Sequence, residues 1–426
     1  MIYFLRDSVG LAPNSAIFTI VALLLPFALS LPFKDFKYFD KPNIIAYILL
    51  GIFVFLGFVF FILRDPYTAV NRNYEYSNLS VIFLMYFTIP FLREKEIGAN
   101  FIKIGMILSF FGAATLLYAI IKDPFYVIGQ RAAIRFGEGG EAAGSNPHIF
   151  GKAGFFGFVF SLIALKYHEK IKWGILIPLI FLFLSLVQII VTQTMVAILS
   201  LLLVLFLFTI TNFSYKTFGT NILSLFRKWY ILLGLLLCVF KGVKAYNENP
   251  DFIDPFVSVF TVRANKVINA VVGGEDKKSN KAYVDESASG RIAVLALMVD
   301  NYDEDIQNGK LRYLIFGHGY KNIYVDVPHI EVFDSFGILV FIFYTYMFFY
   351  LARMAYRTMR NPQSFVHEYF AYAFMYYFLH NFTGGYIIDY SRLIFYFLIA
   401  KFINIQFEKR KSIDAQSPIT PAIITQ

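Results

Sequence analysis

The chain has 426 residues, 58% of them hydrophobic and 19% aromatic, with a mean hydropathy of +0.59. A soluble protein of this length cannot bury so much apolar surface, whereas a lipid bilayer can, so the composition points to a polytopic membrane protein. The net charge of +9 would suit nucleic acid only if the basic residues gathered in one patch, and they do not.

In chain order, Met1 to Asn14 lacks the basic n-region, short apolar core and small-residue cleavage site of a removable leader, so the first apolar segment is expected to stay as a span. Apolar spans are expected near 14–33, 43–63, 77–92, 101–121, 149–165, 173–191, 194–212, 229–243, 332–352, 369–384 and 386–404. That is about eleven, with room for a twelfth within Met1 to Gly10, each near the length a hydrocarbon core requires. The expected fold is all-α, a polytopic transmembrane helical bundle.

Every second short connection is basic: Lys34, Lys37 and Lys41; Arg93, Lys95 and Lys103; Lys166, Lys170 and Lys172; Lys216, Arg227 and Lys228; Arg353, Arg357 and Arg360; Lys401, Lys409, Arg410 and Lys411. This is the positive-inside pattern, which marks the cytoplasmic face, leaves no nucleic-acid footprint and places the N-terminus outside. The organisation read from it is residues 1–243 as N-terminal spans with an external loop at about 122–148, and 244–331 as a large external loop. Residues 332–404 then form the C-terminal spans and 405–426 a cytoplasmic tail that reads as disordered. The large loop holds two amphipathic helical runs, "DPFVSVFTVRANKVINAVV" and "GRIAVLALMVDNY". Its length suits helices that roof a cavity better than a linker.

Four stretches carry chemistry. In "GQRAAIRFGEGGEAAGSNPHIFGKAG", residues 129–154, Arg131 and Arg135 are four apart and would share a helix face. Paired guanidinium groups suit phosphate and pyrophosphate, though two arginines snorkelling at the headgroup layer are also ordinary. In "ASGRIAVLALMVD", Arg291 opens an apolar helical run against the helix dipole, so it needs a ligand or a nearby acid.

In "GHGYKNIYVDVPHIEVFDSFGILVF", residues 317–341, His318, Glu331 and Asp334 surround His329 at the mouth of a span. Glu331 and Asp334 read as solvated helix-entrance acids, favoured there by the helix dipole. His329 is neither a preferred cap nor an apolar anchor, and it titrates near neutrality, so it suits general-base work. In "FLHNFTGGYIIDYSRLIF", Asp389 and Arg392 are three apart and are expected to neutralise each other, with His380 a further candidate at the external end of its span.

The single cysteine, Cys238, excludes an internal disulfide and a multi-cysteine metal site. The sequence has no Walker motif, no dinucleotide glycine pattern, no HExxH and no obvious metal-binding aspartate motif, so no metal and no cofactor are expected.

Arg291 opening an amphipathic helix, then "FGHG" at 316–319, then "PHIEVFDSFGILVF" at 328–341, together with the earlier "RFGEGGEAAGSNPHIFGKAG", resemble the O-antigen polymerase and O-antigen ligase superfamily of bacterial inner membranes. The resemblance implies a GT-C-like bundle with its large loop and active site in the periplasm. It implies a membrane glycosyltransferase that moves a glycan from undecaprenyl diphosphate onto another lipid-linked repeat unit. Arg131, Arg135 and Arg291 would hold the pyrophosphate in place of a metal, and His329 would take the acceptor proton. The partners implied are the lipid-linked oligosaccharide, the bilayer and a chain-length regulator. Two alternatives remain open: a ligase with the same donor and a lipid A-core acceptor, and a lipid-linked oligosaccharide flippase. The flippase reading is weakened because most candidate charges lie on one face and no repeat is evident.

Overall fold

The computed structural model describes residues 42–64, 71–92, 94–122, 132, 147–212, 244, 286–323, 325 and 327–403, with the side chains of 94–97 and 286–292 left aside. Among these residues the chain is all-helical. In chain order the helices are α1 (Ile44–Leu63), α2 (Arg72–Thr88), α3 (Glu94–Lys122), α4 (Pro147–Lys166), the short α5 (His168–Ile171), α6 (Leu176–Thr192) and α7 (Met195–Asn212). After the large loop come α8 (Glu286–Gln307), α9 (Arg312–Phe316), α10 (Pro328–Arg360), α11 (Phe365–His380) and α12 (Tyr390–Phe402).

Five of them, α1, the Gly98–Lys122 part of α3, α4, α7 and α10, are long and apolar enough to cross a membrane. The expected spans 14–33 and 229–243 lie outside the described residues, as does the run "DPFVSVFTVRANKVINAVV". The other nine expected spans fall on described helices, but α2, α6, α11 and α12 are not among those long and apolar enough to cross. The expected 332–352 is longer, running Pro328–Arg360 with a break at Gly337 (φ 77°, ψ −179°).

Local chemistry sets the helix starts. Asn43 caps α1 by accepting from Ala46 N–H, Asn71 caps α2 from Asn73 and Tyr74, Ser364 caps α11 from His367, and Asp389 caps α12 from Ser391. Pro328 opens α10, where its missing N–H costs nothing.

Long-range polar contacts gather at two ends of the bundle. At the first end, Asn78 of α2 donates to Ile388 O at 2.9 Å and accepts from Tyr390 N–H at 2.9 Å. At the second, Asn43 N–H donates to Ala400 O at 2.8 Å, Lys401 Nζ to Pro90 O at 2.7 Å, and Lys166 pairs with Glu368 at 2.7 Å. Between the ends the packing is apolar and aromatic-rich. The α4–α6 contact is close because Gly154 and Gly157 of α4 carry no side chain. A Cβ would stand 3.1 Å from Ser185 O at Gly154 and 2.6 Å from Ser185 Oγ at Gly157. The tops of α8, α9 and α10, and the loop 381–389, meet at the first end, and the candidate residues gather there.

Candidate site at the first end of the bundle

The break at Gly337 makes residues 328–336 a separate helical segment that lies under α8 and α9. Val332 and Phe336 of this segment are buried against the main core, and Phe333 packs with Tyr302 of α8 (ring centroids 4.9 Å). Glu331 and Asp334 are both 0% exposed. The expectation of solvated helix-entrance acids is therefore corrected. α9 and the loop behind it cover the segment from above, and the loop 381–389 covers it from the side, which no local pattern encodes.

Asp334 Oδ1 meets His318 Nδ1 at 2.9 Å, and His318 Nε2 meets Asp305 Oδ2 of α8 at 2.8 Å. Both ring nitrogens face carboxyl groups, an arrangement that favours the doubly protonated ring while both acids are ionised. The hydrogen bond that His318 donates to Asp334 holds its pKa above the ordinary 6.5, with Asp305 adding and burial opposing. Tyr302 and Tyr313 flank the ring at 4.6 and 5.0 Å. His318 thus clasps α8, α9 and α10 together, and in its protonated form it has no lone pair for proton transfer.

His329 stands on the other side of the segment. Its ring sits among Phe341, Tyr344 and Phe382, with centroids 5.1, 5.6 and 5.2 Å away. Its N–H donates to Asn381 O at 3.1 Å. Asn381 Nδ2 faces His329 Nδ1 at 3.0 Å, and Thr345 Oγ1 faces Nε2 at 3.2 Å. Asn381 Oδ1 accepts from Tyr344 Oη at 2.6 Å and from Arg392 Nη1 at 3.2 Å.

Arg392 is 2% exposed. Its Nη2 donates to Gly384 O and to His380 Nδ1, each at 2.8 Å. The expected pairing with Asp389 is corrected: Asp389 Oδ1 accepts from the Ser391 N–H and hydroxyl as the helix cap. Among the described residues no carboxylate lies within ion-pair distance of Arg392. Among the described residues the Arg392 guanidinium is hydrogen-bonded by neutral acceptors alone, with Asp389 acting on it from beyond ion-pair distance.

Glu331 Oε2 accepts from Ile387 N–H at 3.2 Å, while its Oε1 is buried without a hydrogen-bond partner. Beside it, Lys321 Nζ pairs with Glu75 Oε1 of α2 at 2.6 Å and lies 4.3 Å from the Tyr386 ring centroid. Tyr320 Oη donates to Glu75 Oε2 at 2.7 Å.

Of the candidates read from the sequence, the fold brings His329, His380 and Arg392 into one hydrogen-bonded chain through Asn381. Glu331 borders this chain through the loop 381–389, and His318 and Asp334 form a separate clasp. Arg291 lies in the first turns of α8, which begins at Glu286, five positions before the expected opening. Arg131 and Arg135 lie outside the described residues, although Ala132 between them hydrogen-bonds by its N–H to Val191 O at 3.1 Å, in the last turn of α6. Among the described residues no three His, Cys, Asp or Glu side chains group as metal ligands would. Sequence reasoning missed Asn381, Glu75, Lys321 and Thr345. Asn381 follows His380 directly in "FLHNF", and that was its only local signal. No family model matches the chain, and comparison with curated proteins finds no match.

Proposed function

We propose that the chain is an integral-membrane glycosyltransferase of about eleven spans, GT-C-like in fold. It would polymerise a surface polysaccharide at the periplasmic face of a bacterial inner membrane. The donor would be a glycan on undecaprenyl diphosphate and the acceptor another lipid-linked repeat unit. The observation that carries the reading is the Arg392–Asn381–His329 chain at one end of an apolar bundle. A buried cation whose hydrogen-bond partners among the described residues are neutral suits a developing diphosphate charge, and it is coupled through one amide to the imidazole that the motif resemblance singles out. Arg131, Arg135 and Arg291 supply the remaining pyrophosphate contacts in this reading. A lipid A-core acceptor is the alternative, since both reactions share the donor.

A flippase is the second reading, favoured by one observation. The Gly337 break in α10 beside the buried Glu331 is the kind of interrupted helix with an intramembrane carboxylate that transporters use.

The deciding experiment is reconstitution of the purified chain in liposomes with a lipid-linked repeat unit on one side. Chain growth with release of undecaprenyl diphosphate, abolished in His329→Ala and insensitive to chelators, is the expected result. Translocation of intact lipid-linked oligosaccharide without any new glycosidic bond would sink the transferase reading. In cells, a deletion strain of a polymerase keeps core capped by a single repeat unit. A ligase deletion instead accumulates full-length polymer on undecaprenyl diphosphate and shows bare core.

A further inference from the structure

The groups around Asn381 fix which nitrogen of His329 carries the proton. Arg392 has donors and no acceptor, so the Asn381 amide atom facing its Nη1 must be the oxygen. The Tyr344 hydroxyl, 2.6 Å from the same atom, then donates to it as well. The amide nitrogen is left facing His329 Nδ1 at 3.0 Å and has only protons to offer. Nδ1 must therefore present its lone pair, and in the neutral ring the proton sits on Nε2, 3.2 Å from Thr345 Oγ1. Protonating Nδ1 would set two donors against each other, so the ring cannot become an imidazolium without leaving Asn381. The backbone bond from His329 N–H to Asn381 O, at 3.1 Å, keeps the two residues in register.

We propose that Asn381 is a positioning residue that holds His329 as the neutral Nε2–H tautomer, so that the ring meets a substrate oxygen as a hydrogen-bond donor and not as a general base. The lone pair that a base would use is committed to the Asn381 amide. The opposite nitrogen carries a proton that rests on Thr345 Oγ1 at 3.2 Å and would be handed from that hydroxyl to an oxygen on which negative charge develops, such as that of a departing diphosphate. The substrate side of this statement rests on the transferase reading above, but the tautomer does not.

The experiment uses the full chain in lipid nanodiscs with ¹⁵N-labelled imidazoles, the His329 signals being identified among the six histidines by their loss in His329→Gln. The expected spectrum has a protonated Nε2 and an unprotonated Nδ1. Asn381→Asp puts a carboxylate oxygen opposite Nδ1 and gives Arg392 a charged partner, so the tautomer should invert to Nδ1–H. His380, whose Nδ1 accepts from Arg392 Nη2 at 2.8 Å, should show the same tautomer in the wild type. Asn381→Ala, which offers His329 no side-chain partner, should give a mixture. A protonated Nδ1 in the wild type, or an Asn381→Asp ring that does not invert, overturns the assignment.

In the liposome assay the donor role requires Asn381→Asp to lose about 100-fold in rate, typical of removing one such donor, with its melting temperature retained and no further loss when it is added to His329→Ala, since a further loss would come from the carboxylate's pairing with Arg392. An inverted ring with full rate would overturn the donor role. If no protein, wild type included, transfers glycan, the transferase reading fails while the spectra still decide the tautomer.

Discussion

Gly317 and Gly337 lie against the backbone on each other's side of one contact. A Cβ on Gly317 (φ 74°) would stand 2.5 Å from Phe336 N, and one on Gly337 (φ 77°) would run into Ile315 O. The break in α10 and the turn after α9 are two halves of a single joint. The carbonyl of Asp334, one turn before the break, takes its hydrogen bond from His318 N–H at 2.7 Å. This joint turns residues 328–336 away from the span and brings Glu331 and His329 to the loop 381–389.

Alanine at either glycine is expected to destabilise the protein by about 2–4 kcal/mol, combining left-handed strain with an overpacked backbone contact. Gly309→Ala, equally left-handed (φ 72°) but with nothing within 4 Å, should cost only about 1 kcal/mol. Because both glycines serve one joint, the double variant should cost less than the sum of the singles, as read from melting temperatures in detergent. Strict additivity would show that the two do not share a contact.

The His318 clasp makes stability depend on pH. Its folded pKa is raised above 6.5 by Asp334 and Asp305, so its contribution is fully present below the unfolded value and is lost as pH rises through the folded one. The melting temperature should fall as pH climbs above 6.5, and His318→Gln should flatten that part of the curve. Among the described residues the other ionisable neighbours are Lys310, 3.8 Å from Asp305, and the hydroxyls of Tyr302 and Tyr313. A wild-type curve that rises across this interval would contradict the clasp.

The Glu75–Lys321 pair, with side chains 3% and 4% exposed, should behave as a buried ion pair. Glu75→Gln or Lys321→Met alone is expected to cost about 3–5 kcal/mol by leaving its partner buried and uncompensated, and the double variant should recover much of that loss. A double-mutant cycle measures the coupling, and a coupling near zero would show that loop 317–327 is not anchored on α2 by this pair.

Asn308 and Asn361 are exposed at opposite ends of the bundle. With Cys238 replaced by serine, a cysteine at Asn308 should react with an impermeant maleimide in intact spheroplasts, whereas one at Asn361 should react only after lysis. Thr358 lies on the same end as Asn361 but is 6% exposed, so it is a poor labelling position. The reverse pattern would invert the orientation read from the basic connections.

The sequence alone determined the membrane class, most of the described helices and the gathering of candidate charges around the last three of them. These are properties of composition and one-dimensional apolar runs, and a bilayer imposes them whatever the packing. It also singled out His329. It could not tell that Glu331 and Asp334 are buried, that Asp389 caps α12 while Arg392 turns to Asn381, or that His318 is a clasp. Each of those depends on partners far along the chain: Glu75 meets Lys321 across 246 positions and Asn381 meets His329 across 52. Only the folded joint at Gly317 and Gly337 and the loop 381–389 bring them within hydrogen-bonding distance. Burial and proton placement are set by such three-dimensional neighbours, because a carboxylate or an imidazole has the same local sequence whether water or a guanidinium faces it.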